Sequence, residues 1–298
     1  MGYAYIGIIM VCRVVQNLCS KNISMVLPVS LRGRLDYLTF SKGVSAAFGL
    51  ALLIFAGSFD SLDSLSVMLA SISGLVLALN TIFSSVAMQS GTVALCSMFS
   101  TAGLIIPCIA GALFFNESMS VWQWCGIAVF LFAAYLLVSS SKSAKPAFSF
   151  KTMLLLCIVL LLNGATMLCQ KLFTFFSPDG SVSVFSLFTF LVPAALCGLA
   201  VSAARLAPAR SLMNGCEVLS GKLFFFGAIG AAALFFVNQL ATEATKLVPS
   251  AVLFTFINGG NTLIAAIIGA AVFKEKLGVK GVAGIIIGIT SLIIIKAL

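Results

Sequence analysis

Residues 152–173 read TMLLLCIVLLLNGATMLCQKLF, and Lys171 is the only charged side chain among them. A helix rises about 1.5 Å per residue, so about twenty apolar residues cross a hydrocarbon core about 30 Å thick. The run is apolar on all sides, whereas a strand of a membrane barrel alternates polar and apolar residues over about ten positions. The stretch therefore predicts a transmembrane helix.

Similar runs occupy almost the whole chain, which is 61% hydrophobic and only 8% charged. Soluble domains carry about 25% charged residues. We therefore predict an all-α integral membrane protein, multi-pass in the plasma or inner membrane. Its ten predicted helices are Gly2–Ser20, Leu38–Gly57, Leu65–Met88, Thr92–Phe115, Val121–Ser139, Thr152–Phe173, Val182–Ala204, Leu223–Lys246, Ser250–Phe273 and Val279–Ile295.

The two halves of the chain are similar in sequence. With a shift of 158 residues, 79–127 matches 237–285 at 11 of 49 positions, including Asn80 with Asn238 and Glu117 with Glu275. With a shift of 150, residues 18–21 align with residues 168–171. A polar stretch separates the halves, so we predict five-helix repeats at 1–140 and 151–298 and a linker at 141–150.

An odd number of helices per repeat inverts the second repeat in the membrane, and the basic residues agree with this. Equivalent loops differ in basic content, and alternate loops place thirteen Lys and Arg residues on one side and three on the other. Lys42 is counted in the first loop. The basic side is predicted to be cytoplasmic, which places both termini outside. Inverted repeats are typical of alternating-access transporters.

The region 107–138 and its repeat resemble the EamA-like branch of the drug/metabolite transporter superfamily. Pro107 and Glu117 keep the spacing of that family, Gly126 opens the next helix, and Lys21 closes the first. The resemblance covers essentially the whole chain and implies ten helices in two inverted repeats, and solute transport. Three departures are Asn116 and Lys274, where the family has Gly, and Ala265, where it has Pro. Members of that family usually have cytoplasmic termini, unlike the prediction from charge.

These features predict a secondary transporter, a permease or exporter, for a small organic metabolite or drug-like solute. A lipid flippase and a non-transporting scaffold remain as alternatives. The sequence has no Walker A loop, so coupling to protons or another ion stays open, as does the choice between monomer and homodimer. The chain has no His and few acidic residues, which disfavours an enzyme, a metal site or another cofactor. Despite a net charge of +9, no nucleic-acid-binding motif occurs.

Arg13 is the first candidate site residue because it lies near the middle of the first predicted helix. Burying Arg there costs about 2.5–3.5 kcal/mol on insertion scales, so it is expected to face the bundle interior. Gln16 and Asn17 follow on the same helix face. Arg13 is a candidate anchor for an anionic substrate group, and the alternative is a structural Arg bonded to carbonyls or reaching the headgroups.

Further polar residues within the predicted helices are candidates for a transport site. Asn80 and Asn238 occupy equivalent repeat positions, where they would bind substrate or join helices. Gln239 and Glu243 share a helix face, and Glu243 is either a proton carrier or an interfacial partner of Lys246. The remaining candidates, Asn258 and Asn261, flank a Gly-Gly pair that interrupts the ninth helix. They would either form the polar lining of a broken helix or belong to a tightly packed contact.

Overall fold

A computed structural model describes residues 2–26, 31–55, 63–89, 93–140, 150–206, 221–274 and 278–297. The regular elements in these ranges are all helical, and ten spans are long and apolar enough to cross a membrane. The prediction of ten transmembrane helices is therefore confirmed by length and composition. The helices are α1 (Gly2–Val26), α2 (Leu31–Phe55), α3 (Ser64–Gln89), α4a (Val93–Ala102), α4b (Ile105–Phe114), α5 (Val121–Ser140), α6 (Phe150–Phe176), α7 (Val182–Leu206), α8 (Gly221–Ala244), α9a (Ser250–Phe254), α9b (Gly260–Ala271) and α10 (Val279–Ala297).

The first two helices are longer than predicted, and this changes the position of one cation. α1 continues to Val26, and α2 begins at Leu31 rather than Leu38. Lys42 therefore lies near the middle of α2 and is 7% exposed. Counting it among the loop cations was wrong, although its removal leaves the large majority of basic residues on the same side.

The fourth span is broken between α4a and α4b, which the sequence analysis did not predict. Pro107 has no N–H and its ring excludes the carbonyl four residues earlier, which belongs to Gly103. That carbonyl instead accepts a hydrogen bond from the Ile106 N–H at 3.1 Å. The break lets the backbone approach α6, because a Cβ on Gly103 would lie 2.7 Å from the Leu160 carbonyl oxygen.

The ninth span is also irregular, as the Gly259-Gly260 pair suggested. A π-helical turn at Thr255–Gly259 separates α9a from α9b. A Cβ on Gly259 would lie 2.7 Å from the Phe130 ring, and one on Gly260 would lie 2.8 Å from the Met10 sulfur. Short π segments inside α-helices are frequent at functional sites. The two glycines therefore allow close packing against Phe130 and Met10 at the π-helical turn, where the regular α-helical hydrogen bonding is interrupted.

Large apolar side chains are exposed on the outside of the bundle, as expected for a surface that contacts lipid. Phe55 is 90% exposed and Val279 is 88% exposed, while Phe130 and Phe185 are fully buried. A soluble surface rarely carries contiguous apolar area of this extent. The polar groups that the helices contain must therefore face one another or an internal cavity.

The helices of the two halves interleave instead of forming two separate bundles. α2 packs along α7, α5 along α10, and α1 along α8, and α3 packs against α6 and α7. α4a and α4b lie against α6, and α9b lies against α1. Each of these helices therefore contacts at least one helix of the other half, and the space between the halves lies near the middle of the bundle.

Several predicted features fall outside the described residues. The linker prediction lies almost entirely in 141–149, with its lysines Lys142 and Lys145. Glu275, which the repeat aligns with Glu117, lies in 275–277. The predicted ends at Gly57 and Thr92 also fall outside the described ranges.

Candidate functional site

A cavity of about 250 Å³ lies between the two halves. Eight of the ten spans contribute to its wall, and polar side chains come from both halves. The lining residues are Arg13, Lys42, Leu77, Ser100, Asn163, Thr166, Met167, Gln170, Phe190, Leu234, Val237, Asn238, Ala241, Phe254, Ile257, Asn258 and Asn261. Arg13, Lys42 and Asn163 each lie near the middle of their helices, so the cavity lies at mid-membrane depth.

A second space of about 430 Å³ continues from this cavity and shares Ser100, Asn258 and Asn261 with it. Its other lining residues include Ser84 near the end of α3, Ser97 near the start of α4a, and residues at the end of α5. The polar space therefore extends toward the end of the bundle where α3 and α5 end. We call this the wide end, and it is the end that the charge distribution predicts to be cytoplasmic.

Arg13 lines the central cavity from α1. Its Nη1 donates a hydrogen bond to Gln16 Oε1 at 2.8 Å, and its buried Nε has no hydrogen-bond partner. The guanidinium is therefore placed toward the bundle interior and not at the headgroups, while its role as an anion anchor stays a prediction. Gln16 lies one turn further along α1, accepts this hydrogen bond, and is not itself a lining residue.

Three of the predicted amides meet where α1 faces the irregular ninth span. Asn17 Nδ2 donates to Asn261 Oδ1 at 2.9 Å, which joins α1 to α9b. Asn258 Nδ2 lies 3.3 Å from the Phe254 carbonyl oxygen and 3.0 Å from the Met167 sulfur. Asn17 lines the wide space, and Asn258 and Asn261 line both spaces. The ninth span thus presents Asn258 and Asn261 to the polar spaces, while their role in substrate binding stays a prediction.

The predicted asparagine pair is only partly brought to the cavity. Asn238 lines it, accepts a hydrogen bond from Gln170 Nε2 at 2.8 Å, and lies 3.3 Å from Ser186 Oγ. Asn80 does not line the cavity, and its Nδ2 lies 3.4 Å from Oδ1 of the lining residue Asn163. Asn80 therefore supports a lining residue, whereas Asn238 is itself exposed to the cavity.

Gln239 and Glu243 are not among the lining residues of either space. Gln239 Nε2 lies 3.4 Å from Ser183 Oγ on α7. Glu243 Oε2 lies 3.5 Å from Lys246 Nζ at the end of α8, and both side chains are about one-third exposed. This geometry is that of the interfacial pair considered for Glu243, and its role in proton coupling stays a prediction.

Sequence reasoning missed several residues of the cavity wall, including Lys42, Asn163 and Gln170. Lys42 was counted with the first loop because the second helix was predicted to begin only four residues before it, whereas α2 begins at Leu31. Asn163 aligns with Arg13 under the 150-residue shift, so the repeat itself contained the signal for it. Its Nδ2 donates to the Ser100 carbonyl oxygen at 2.6 Å, beside the break in the fourth span. Gln170 was quoted only for the repeat, next to Lys171.

The opposite end of the bundle is closed by a buried polar cluster, which we call the latch end. Lys171 Nζ lies 2.6 Å from Glu117 Oε1 and 3.1 Å from the Thr245 carbonyl oxygen. Glu117 also accepts hydrogen bonds from the Ser250 N–H at 2.8 Å and the Ser250 Oγ at 3.2 Å. A carboxylate at a helix N-terminus is stabilised by the unpaired N–H groups there. The connection between α4b and α5 thus ties α6 to the start of α9a.

The two ends of the bundle share a matched contact and a matched backbone conformation. Lys171 Nζ lies 5.8 Å from the Phe115 ring centroid, and Lys21 Nζ lies 5.8 Å from that of Phe273, its repeat equivalent. Asn116 has a φ of 51° and Lys274 a φ of 54°. These are the two positions where the resembled family has Gly, and positive φ is the conformation that favours Gly.

The wall chemistry is suited to binding polar solutes by hydrogen bonds and charge. Within the described ranges, no group of three or more Cys, Asp or Glu residues is arranged to hold a metal ion. The cavity wall contains two cationic side chains, Arg13 and Lys42, and no acidic one. Its other lining groups are amides, hydroxyls and apolar side chains.

The fold matches known structures, although the sequence finds no relative. No protein-family model matches the chain, and no curated protein matches it in sequence. One solved crystal structure superposes with a TM-score of 0.76 over 99% of this chain and 96% of the other, at 12% sequence identity. The chain therefore shares the fold of that structure over almost its whole length, and at this identity the likeness shows the fold alone.

Proposed function

We propose that this protein is a secondary transporter that moves a small organic solute across the membrane by alternating access. The observation that carries the proposal is the polar cavity at mid-membrane depth, which continues toward one end of the bundle and is closed at the other by the Lys171–Glu117–Ser250 cluster. Polar groups at this depth are costly and mark solute pathways. A site reached from one end and sealed at the other is what one state of a transporter requires.

The proposed mechanism uses two inverted repeats, and the helix packing supports it. Exchanging each helix with the one five positions along preserves the main helix pairings: α2 with α7 and α5 with α10 map onto themselves, and α1 with α8 becomes α6 with α3. The matched Lys–Phe contacts and the matched positive φ angles at Asn116 and Lys274 obey the same exchange. Such a relation lets the cluster at one end open while its counterpart closes.

We further propose that the chain is a member of the EamA-like branch of the drug/metabolite transporter superfamily. The support is the spacing of Pro107, Glu117 and Gly126, together with the structural role of each. Pro107 ends the hydrogen-bond ladder of α4a, and Glu117 binds the start of α9a. The left-handed residue before Glu117 explains why Gly suits that position.

The test measures solute flux together with the accessibility of single cysteines at the two ends of the bundle. In a cysteine-free variant, single cysteines at Ser97 and Thr245 report on the wide end and the latch end. An impermeant thiol reagent is expected to label Ser97→Cys from the cytoplasmic face, and a transported solute is expected to change the two labelling rates in opposite directions. Proteoliposomes then measure flux of the same solute.

Three outcomes would overturn the proposal. Labelling of Ser97→Cys from both faces at once indicates a continuous channel. Movement of a fluorescent phospholipid without movement of any soluble solute indicates a flippase. Fixed labelling rates and no flux across a broad solute panel indicate a scaffold.

A further inference from the structure

The central cavity contains two cations and no acid in its wall. Arg13 and Lys42 come from α1 and α2, while the five acidic residues of the described ranges lie near helix ends or in connections. Lys42 Nζ lies 5.5 Å from the Phe190 ring centroid, and that contact leaves its positive charge uncompensated. The buried Nε of Arg13 has no hydrogen-bond partner.

Two positive charges at mid-membrane depth call for negative charge from a ligand. A buried ion is strongly disfavoured unless it is paired and hydrogen-bonded. A neutral solute would compensate neither cation, and a monoanion would compensate one of them. A dianion compensates both, and the planar guanidinium of Arg13 suits bidentate binding of a carboxylate or phosphate group.

The other lining residues indicate which groups the ligand carries besides its negative charges. Amide groups of the second half line the same cavity as the two cations, including Asn163, Gln170 and Asn238. Several of these donors are already engaged, since Gln170 binds Asn238 and Asn163 binds the Ser100 carbonyl. Asn238 Oδ1 and Asn163 Oδ1 each accept one hydrogen bond, and the second lone pair of each oxygen can accept a hydroxyl donor of a ligand. A volume of about 250 Å³ fits a short carbon skeleton.

We propose that the cavity binds a small hydroxylated organic dianion, of the class of phosphate monoesters and dicarboxylates, with Arg13 and Lys42 as its charge-binding residues. The proposal rests on the proposed transport function, and it names the substrate class of the same cavity. The shared chemistry is two negative charges on a short polar skeleton, whichever acid supplies them.

The experiment compares matched pairs of probes on the purified full-length protein. Glycerol 3-phosphate is paired with glycerol, and malate with lactate, and affinity is measured by calorimetry. The dianion of at least one pair is expected to bind at least tenfold more tightly than its partner, with affinity falling as salt rises. Preference for glycerol 3-phosphate alone or malate alone identifies the acid within the class.

Variants separate the roles of the two cations. Lys42→Met is expected to reduce the preference for dianion over monoanion at least tenfold, while Arg13→Gln weakens both by at least tenfold. Lys246→Met removes a cation outside the cavity and is expected to change neither. The unliganded Lys42→Met protein is expected to be at least as heat-stable as the unmodified protein, because an uncompensated buried charge has been removed.

The results distinguish failure of this inference from failure of the transport proposal. Dianion binding without flux in proteoliposomes refutes transport and leaves the ligand class standing. Flux of neutral or cationic solutes with no dianion preference refutes the ligand class and leaves transport standing. An unchanged dianion preference in Lys42→Met also refutes the assignment of Lys42, and the comparison of probes on the unmodified protein remains decisive if a variant does not fold.

Discussion

Lys171 Nζ and Glu117 Oε1 lie 2.6 Å apart, and both side chains are largely buried. One belongs to α6 and the other to the connection between α4b and α5, so the ion pair joins the two halves of the chain. Because Glu117 also binds the Ser250 N–H at the start of α9a, loss of this one carboxylate would release three elements at the latch end.

Glu117→Gln is expected to lower the free energy of unfolding by about 3 kcal/mol, because it leaves the Lys171 ammonium buried without its partner. Unfolding by denaturing detergent, followed by circular dichroism, measures the change. Labelling of Thr245→Cys is expected to rise in the same variant. Adding Lys171→Met should restore part of the loss, since the two effects are coupled.

The control for this pair is Glu243→Gln, which removes a more exposed ion pair with Lys246 at 3.5 Å. Its cost is expected to be below about 1 kcal/mol. Equal losses in Glu117→Gln and Glu243→Gln would show that the buried cluster does not hold the latch end.

Lys274→Gly is expected to stabilise the protein by about 1 kcal/mol, because Lys at a φ of 54° is strained and Gly is not. Asn116→Gly should gain less, since Asn tolerates this conformation better than Lys. Thermal unfolding measures both. Val282→Gly, at an exposed position within α10, is the matched control and should destabilise by about 1 kcal/mol. A loss of stability in Lys274→Gly would contradict the left-handed turn.

Gly164→Ala is expected to destabilise by about 1–3 kcal/mol through overpacking, because its Cβ would lie 2.5 Å from the Gly103 carbonyl oxygen. Gly103→Ala should behave alike at the same contact. Gly7→Ala is the control, since nothing lies within 4 Å of its added Cβ, and it should be neutral or stabilising. Similar behaviour at Gly164 and Gly7 would rule out close approach of the fourth span to α6.

Topology is tested by reporter fusions between residues 142 and 145 and after Lys296. The charge distribution predicts cytoplasm for the first and exterior for the second. An alkaline phosphatase fusion active only outside, with a fluorescent fusion active only inside, gives the measurement. Fusions that report the same side would contradict five crossings between the linker and Lys296, whereas exchanged sides would contradict only the charge argument.

The number and approximate position of the transmembrane helices could be predicted from the amino-acid sequence alone. Twenty apolar residues can be satisfied in lipid only as a helix, so composition and length were sufficient. Matched residues such as Asn80 and Asn238 also predicted equivalent positions, and the lone Arg13 in an apolar run identified a cavity residue. These features depend on residue type and spacing along the chain, which the amino-acid sequence gives directly.

Which polar side chains contact one another depends on how the helices pack, and the sequence did not predict it. Lys42 lies near the middle of α2 and not near its start, because α2 begins at Leu31, seven residues before the predicted start. Glu243 lies with Lys246 at a helix end, while Asn163 faces the cavity, because helix rotation and crossing follow from packing across the two halves. Periodicity fixes no such rotation when a helix is apolar all round, so the wall of the cavity depends on contacts between distant residues.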